Sequence, residues 1–334
     1  MERPPDHPTL PEPKVGVLLI NLGTPDAPEA RAVRRYLAAF LSDPRVVEIP
    51  RPAWKPILHG IILRTRPRKS AEAYNQIWTN EGSPLRVIAR RQAEALRARL
   101  PRISIHYAMR YGHPGIAAAI EAMVADGCNR ILAAPLYPQY CAATTATAND
   151  AVFGVLARMR VQPAIRTLPP YYDDPLYIEA LRANVARQLE ALPFTPERLL
   201  LSFHGMPLRT LELGDPYHCH CQKTARLLGQ ALGRELDVAF QSRFGRAKWL
   251  EPATDKVLAD YPRQGFRRIA VVAPGFSADC LETLEEIGIR GRETFLSAGG
   301  EQFALLDCLN DSPEGMHMLE ELVRRELAGW LPQT

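Results

Sequence analysis

The chain has 334 residues, 46% of them hydrophobic and 23% charged, which suits a folded protein with a sizeable core and excludes a disordered chain. Its formal net charge is +4, from 41 basic and 37 acidic residues, too balanced for a nucleic-acid partner held mainly through phosphate charge. No stretch approaches the roughly 20 apolar residues of a spanning helix, and the proline-rich start has no secretory apolar run, so a cytoplasmic protein is expected.

Residues 1–14 are expected to form a disordered arm. VGVLLIN (15–21) is a β-branched and Leu-rich run that reads as a buried strand, and after the turn LGTP the stretch APEARAVRRYLAAFL reads as a helix. Residues 45–88 read as an insertion. Its segment 48–69 mixes Trp54, Ile57, Leu58, Ile61, Ile62 and Leu63 with Arg51, Lys55, Arg64, Arg66, Arg68 and Lys69. Basic plus apolar suits a pocket lip or a membrane-surface contact; the plainer reading is a core helix with a solvated basic end. Strands are then expected at 103–109, 130–137, 199–204, 236–240 and 268–274. Helices are expected at about 85–99, 114–126, 176–192, 217–232, 251–260 and 313–329.

Continuous apolar strands separated by amphipathic helices imply parallel sheets covered on both faces, a doubly wound α/β class. VLLINLGTP (17–25) is similar to LLLSFHGMP (199–207), and RILAAPLYPQ (130–139) to RIAVVAPGFS (268–277). This faint duplication predicts two similar Rossmann-like lobes, 15–160 and 161–334, facing a central cleft, with the final helix packing back. Ligands of open α/β sheets bind beyond the carboxyl ends of strands, where all four landmark turns fall.

Chemistry-bearing residues collect at those ends. His204 closes a strand before Gly205 and Pro207, where an imidazole can hold a metal or accept a proton; a capping histidine is the plainer alternative. In PGFSADCLETLEEIG (274–288), an α-helical wheel puts Asp279, Glu282 and Glu286 on one face with Glu285 beside them. The helix dipole accounts for part of that row. Beside an imidazole, the row suits transit of a divalent cation or a proton. Arg110, Tyr111, Tyr137 and Tyr140, with Trp249, suit a large planar ligand bearing acidic arms. There is no GxGxxG, P-loop or GxSxG sequence, which disfavours a dinucleotide oxidoreductase or a serine hydrolase. HCHC (218–221) matches no standard zinc spacing. Its Cys219 and Cys221 could contribute to an iron–sulfur cluster or be plain thiols.

NLGTP (21–25), EGSPL (81–85), MRYGHP (109–114), PLYPQY (135–140), SFHGMP (202–207), GDPYHCHC (214–221), QSRFGRAKWLEP (241–252) and SADCLETLEEI (277–287) together resemble the ferrochelatase family, in its proteobacterial form, over about 15–327. The resemblance implies a chelatase-type lyase that inserts ferrous iron into protoporphyrin IX to give protohaem, the last step of haem biosynthesis. It implies Fe²⁺ as a substrate, with no other cofactor required. It assigns His204 and Glu282 to catalysis and metal binding, and Asp279, Glu285 and Glu286 to an acidic path. Leu22, Arg110, Tyr111, Tyr137, Trp249 and Phe276 become porphyrin-binding residues, and 45–88 the pocket lip that touches membrane in some members. Peripheral contact at the inner face of the cell membrane is expected at most. Many members have His where this chain has Cys280, which weakens a two-histidine mechanism. Animal members ligate a 2Fe–2S cluster through a C-terminal extension absent from this sequence, so that cluster is not implied; Cys219 and Cys221 stay as candidates for a different one. Cobalt chelation of another tetrapyrrole, and non-catalytic tetrapyrrole or metal carriage, remain as alternatives. Monomer and homodimer are both open.

Overall fold

A computed structural model describes residue 6, residues 13–245 and residues 247–331. The arm expected at 1–14 lies outside the described residues apart from 6, 13 and 14, and Lys14 already opens the first strand. β1 (Lys14–Gly23), β2 (Ser104–Tyr111), β3 (Cys128–Pro135) and β4 (Ala164–Thr167) form a parallel sheet in the order β2-β1-β3-β4. β5 (Arg198–His204), β6 (Asp237–Gln241), β7 (Arg268–Val272) and β8 (Gln302–Leu305) form a second, in the order β6-β5-β7-β8. The second order is the first moved on by one lobe, so the duplication read from two pairs of strand ends extends to the whole topology. β4 corrects the expected lobe boundary. It pairs with β3, so residues 164–167 belong to the first sheet and the division lies beyond 160.

The alternation of side chains along each strand sorts the core. Val17 and Leu19 face a central core, and Leu18 and Ile20 face an outer one; all four are at most 1% exposed. Likewise Leu199, Leu201 and Phe203 of β5 join the central core, while Leu200 joins the outer core of the second lobe. α5 (Ile116–Ala125) and α6 (Thr147–Leu156) cover the outer face of the first sheet. α10 (Thr254–Asp260) and α11 (Arg292–Ser297) cover that of the second. Between the lobes lie α4 (Pro84–Arg99), α7 (Pro175–Ala191), α9 (Tyr217–Leu232), which follows the short α8 (Leu208–Glu212), and α12 (Pro313–Glu326). α12 returns to the first lobe, where Glu320 meets Arg99 at 3.0 Å. One core therefore spans both lobes and sets the two rows of strand ends against each other.

After α1 (Ala30–Leu41), the insertion at 45–88 forms α2 (Arg51–Ile57), a π-helical turn (Leu58–Ile62) and α3 (Leu63–Ile77). Its apolar residues divide between a buried and an exposed set. Trp54, Leu58 and Leu63 pack with Leu41 in a small core, and Trp54 Nε1 donates to Leu41 O at 2.6 Å. Ile57 and Ile61 stay outside, at 40% and 57% exposure.

Candidate active site

In sheets of this order the crevice lies beyond the carboxyl ends of the central strands. His204 is the last residue of β5, half-buried. Its Nδ1 lies 2.7 Å from Gly205 O. A carbonyl can only accept, so Nδ1 carries the proton and Nε2 keeps its lone pair for a metal or an incoming proton. The turn beneath is fixed on two sides. Gly205 N donates to Gln241 O at 2.8 Å, and a β-carbon on Gly205 would stand 2.4 Å from that oxygen, so only glycine fits. Leu208 N and Leu250 N bond to Lys248 O and Met206 O, which lays Trp249 alongside the turn. Phe276, just beyond β7, brings its ring to 6.5 Å from the imidazole.

Gln241 is a residue that motif reading passed over. It closes β6 in register with His204 and is 4% exposed. Its Nε2 donates to Glu282 O at 2.8 Å, and its Oε1 accepts from Ser202 Oγ at 2.7 Å. One buried amide thus ties the strand that carries His204 to the helix that begins at Glu282. A polar residue closing an apolar strand was the available signal.

The segment that carries the acidic row is not an α-helix. Asp279 precedes the helix, and Glu282–Gly291 is a π-helix, in which the 3.6-residue repeat does not hold. Each acid has its own setting. The Asp279 carboxylate is 4% exposed as a residue and accepts from Thr283 Oγ1 (2.8 Å), Asn310 Nδ2 (2.6 Å) and Cys308 N (3.3 Å). Glu285, also buried, takes a bidentate pair from Arg290 at 2.8 and 2.9 Å. Glu286 accepts from Ser242 N at 2.7 Å and Ser242 Oγ at 2.6 Å, and Ser242 adopts φ 64°, a left-handed conformation costly for a side chain, to aim both. Glu282 is half-buried among weaker partners: the Cys280 thiol and the phenols of Tyr36 and Tyr74. Burial pushes all three groups well up, and the Glu282 charge adds to this, so they stay protonated beside it.

The opposite wall comes from the first lobe. Leu22 sits at the end of β1, half-buried, next to Gly23 at φ 119°, where a β-carbon would fall 1.7 Å from Tyr111 O. Tyr137 follows β3, and its hydroxyl is buried without a hydrogen-bond partner. Arg110 and Tyr111 end β2. The acid expected to meet the Arg110 guanidinium is supplied by the protein itself: Asp43, at 2.5 Å from Nη2. Tyr111 is 3% exposed and donates to the same carboxylate at 2.8 Å. The lobes touch through Asn21 Nδ2 to Ser277 Oγ (3.5 Å) and Gln92 Nε2 to Asn310 O (2.8 Å).

The cysteine pair is not brought together as cluster ligands. Cys219 and Cys221 are two residues apart on α9, one exposed and one fully buried, because an α-helix turns such neighbours to different faces. Their histidine neighbours are engaged elsewhere: His220 stacks on Tyr172 at 3.5 Å and accepts from Tyr140 N, and His218 packs on Phe240. Among the described residues no three His, Cys, Asp or Glu side chains converge to hold a metal ion.

The Ferrochelatase family model matches residues 14–327. The sequence is 54% identical over 336 residues to the ferrochelatase of Agrobacterium fabrum, with 98% of both chains covered. It is 53% identical over 334 residues to that of Rhizobium meliloti, at the same coverage. Among solved structures it is similar to SirB from Bacillus subtilis with Fe³⁺, with a TM-score of 0.57 and 15% identity over 95% of this chain and 97% of that one. The sirohydrochlorin chelatase SirB from B. subtilis subspecies spizizenii in complex with cobalt gives a TM-score of 0.55 at 14% identity, over 94% and 95%. At such identities the likeness speaks for the two-lobed fold alone.

Proposed function

The chain belongs to the ferrochelatase family, enzymes that insert ferrous iron into protoporphyrin in haem synthesis, and from that premise we propose how its own residues divide the work. A flat porphyrin carries two inner N–H protons, and both must leave as Fe²⁺ binds. A base and a metal-binding group are needed close to the ring. The observation that carries the reading is the contact of His204 Nδ1 with Gly205 O at 2.7 Å, which engages one ring nitrogen and leaves Nε2 to take a proton or meet the metal. Glu282 is the second group, because the Tyr36 and Tyr74 phenols and the Cys280 thiol beside its carboxylate are neutral. Glu286, four residues beyond Glu282, continues the acidic path. Asp279 and Glu285, buried and held by their own donors, shape the helix start rather than carry ions. Leu22, Tyr137, Trp249 and Phe276 supply the apolar faces for the ring. Binding energy collected at these walls goes into bending the macrocycle and exposing its nitrogens.

Anaerobic incubation with Fe²⁺ and protoporphyrin IX should replace the free-porphyrin spectrum with that of haem at a rate proportional to enzyme. Stoichiometric porphyrin binding without turnover would instead make the protein a carrier. Cobalt chelation of another tetrapyrrole is not favoured, given relatives at 53–54% identity named ferrochelatase.

No helix among the described residues is long and apolar enough to cross a membrane. We place the enzyme in the cytoplasm, touching the membrane surface through the lip. Ile49, Ile57 and Ile61 stand 44%, 40% and 57% exposed beside Arg51, Lys55, Arg64 and Arg68. The protein should co-sediment with vesicles containing anionic lipid, and Ile57→Ser with Ile61→Ser should weaken this by about tenfold or more. Equal sedimentation of the two proteins removes the lip from the contact.

A further inference from the structure

The lip leaves the first lobe after α1, and at that point the chain buries a carboxylate. Asp43 is 8% exposed. Its Oδ2 accepts from Arg110 Nη2 (2.5 Å), Tyr111 Oη (2.8 Å) and Thr147 Oγ1 (2.5 Å), and its Oδ1 accepts from Arg45 N (2.9 Å). Burial opposes the charge, but the bonds from Thr147, Arg45 and Tyr111 and the Arg110 charge outweigh it and hold the carboxyl below its usual range. Arg110 is locked further. Its Nε donates to Thr147 O (2.9 Å) and Thr147 Oγ1 (2.8 Å), and its guanidinium lies 4.5 Å over the Tyr111 ring. Phe40, near the end of α1, meets the same ring edge-on at 5.2 Å. Arg45 adds a second fastening, an ion pair to Asp150 of α6. One side chain thus joins the root of the lip to the end of β2 and the start of α6.

We propose that Asp43 is a positioning residue: it fixes Arg110 and Tyr111 in the porphyrin wall and latches the lip to the first lobe. The proposal rests on the reading of those two residues as part of that wall. Losing the carboxylate leaves the largely buried Arg110 charge unpaired and the lip root short of its main anchor. His204 and Glu282 belong to the other lobe and are untouched, so the loss falls on porphyrin binding and lip closure.

Asp43→Asn and Asp43→Ala, with Arg110→Gln as the partner variant, test this. Trypsin reaches lip sites after Arg64, Arg68 and Lys69 only when the helices open, so cleavage there reports the open population. For Asp43→Asn we expect lip cleavage faster by about tenfold and the porphyrin KM higher by about tenfold, with KM for Fe²⁺ unchanged and kcat within about threefold. Porphyrin should protect the wild-type lip far better than the variant's. Lip cleavage at the wild-type rate overturns the latch, as does cleavage that rises equally throughout the chain, the mark of general destabilisation. An Arg110→Gln protein with unchanged porphyrin affinity overturns the wall reading, and the positioning half with it; lip cleavage in Asp43→Asn still decides the latch. Should both Asp43 variants fail to fold, Thr147→Val keeps the carboxylate and removes one hydroxyl, which donates to Asp43 and accepts from Arg110 Nε. It should show the same pattern at about threefold, and lip cleavage at the wild-type rate in it overturns the proposal.

Discussion

His204→Ala should lower the rate of iron insertion by about 10²–10⁴-fold, the usual worth of a positioned general base, while porphyrin affinity stays near wild type. The clean separation follows from how the imidazole is held. It is half-buried, and its hydrogen bond among the described residues is with the carbonyl of the next residue. The turn below is fixed by backbone bonds from Gly205 to Gln241 and from Leu208 and Leu250 across the Trp249 loop, none of which involves the imidazole. Removing the ring should therefore leave the turn standing and change stability by about 1 kcal/mol or less. The measurement is a steady-state rate under anaerobic conditions, paired with a fluorescence titration of protoporphyrin. More than about a tenth of the wild-type rate would remove His204 from proton transfer and metal binding alike, since no base so placed contributes so little.

The sequence made the central strands and the placement of His204 legible because both rest on local pattern. β1 is apolar from Val15 to Ile20 because both faces are covered, and the landmark turns follow directly. The edge strands β4 and β8 escaped. Each is four residues long, open to solvent at its first residue, and without alternation long enough to register. A 3.6-residue wheel does not describe the acidic segment, because Glu282–Gly291 is a π-helix, whose wider turn changes which side chains neighbour one another. Asp43 escaped because its partners are remote. Arg110 lies 67 positions away and Thr147 104, and only the closed fold brings them to one oxygen. The cysteines mislead in the opposite way. Two thiols one residue apart look like a ligand pair until the helix turns one to solvent and the other to the core.

Asp279→Ala should destabilise the fold by about 3–5 kcal/mol, the cost of removing one partner from a buried charged network. Its carboxylate holds three donors from separate places: Thr283 inside the π-helix, Asn310 in the loop after β8, and the backbone N–H of Cys308. Asn310 is itself engaged: its Oδ1 accepts from Asp279 N, and its carbonyl accepts from Gln92 of the first lobe. Alanine leaves these groups buried and unpaired at the junction of the two lobes. Asp279→Asn keeps the shape and one acceptor oxygen, but it turns an amide donor toward Asn310 or Thr283, so an intermediate loss of about 1–3 kcal/mol is expected. Urea unfolding reads both values from the midpoint at unchanged slope. An ion-carrying role makes the opposite forecast: near wild-type stability with a raised KM for Fe²⁺. If Asp279→Ala unfolds within about 1 kcal/mol of wild type while its KM for Fe²⁺ climbs, the buried acid belongs to the metal route after all, and the π-helix start must be held by something other than its hydrogen bonds.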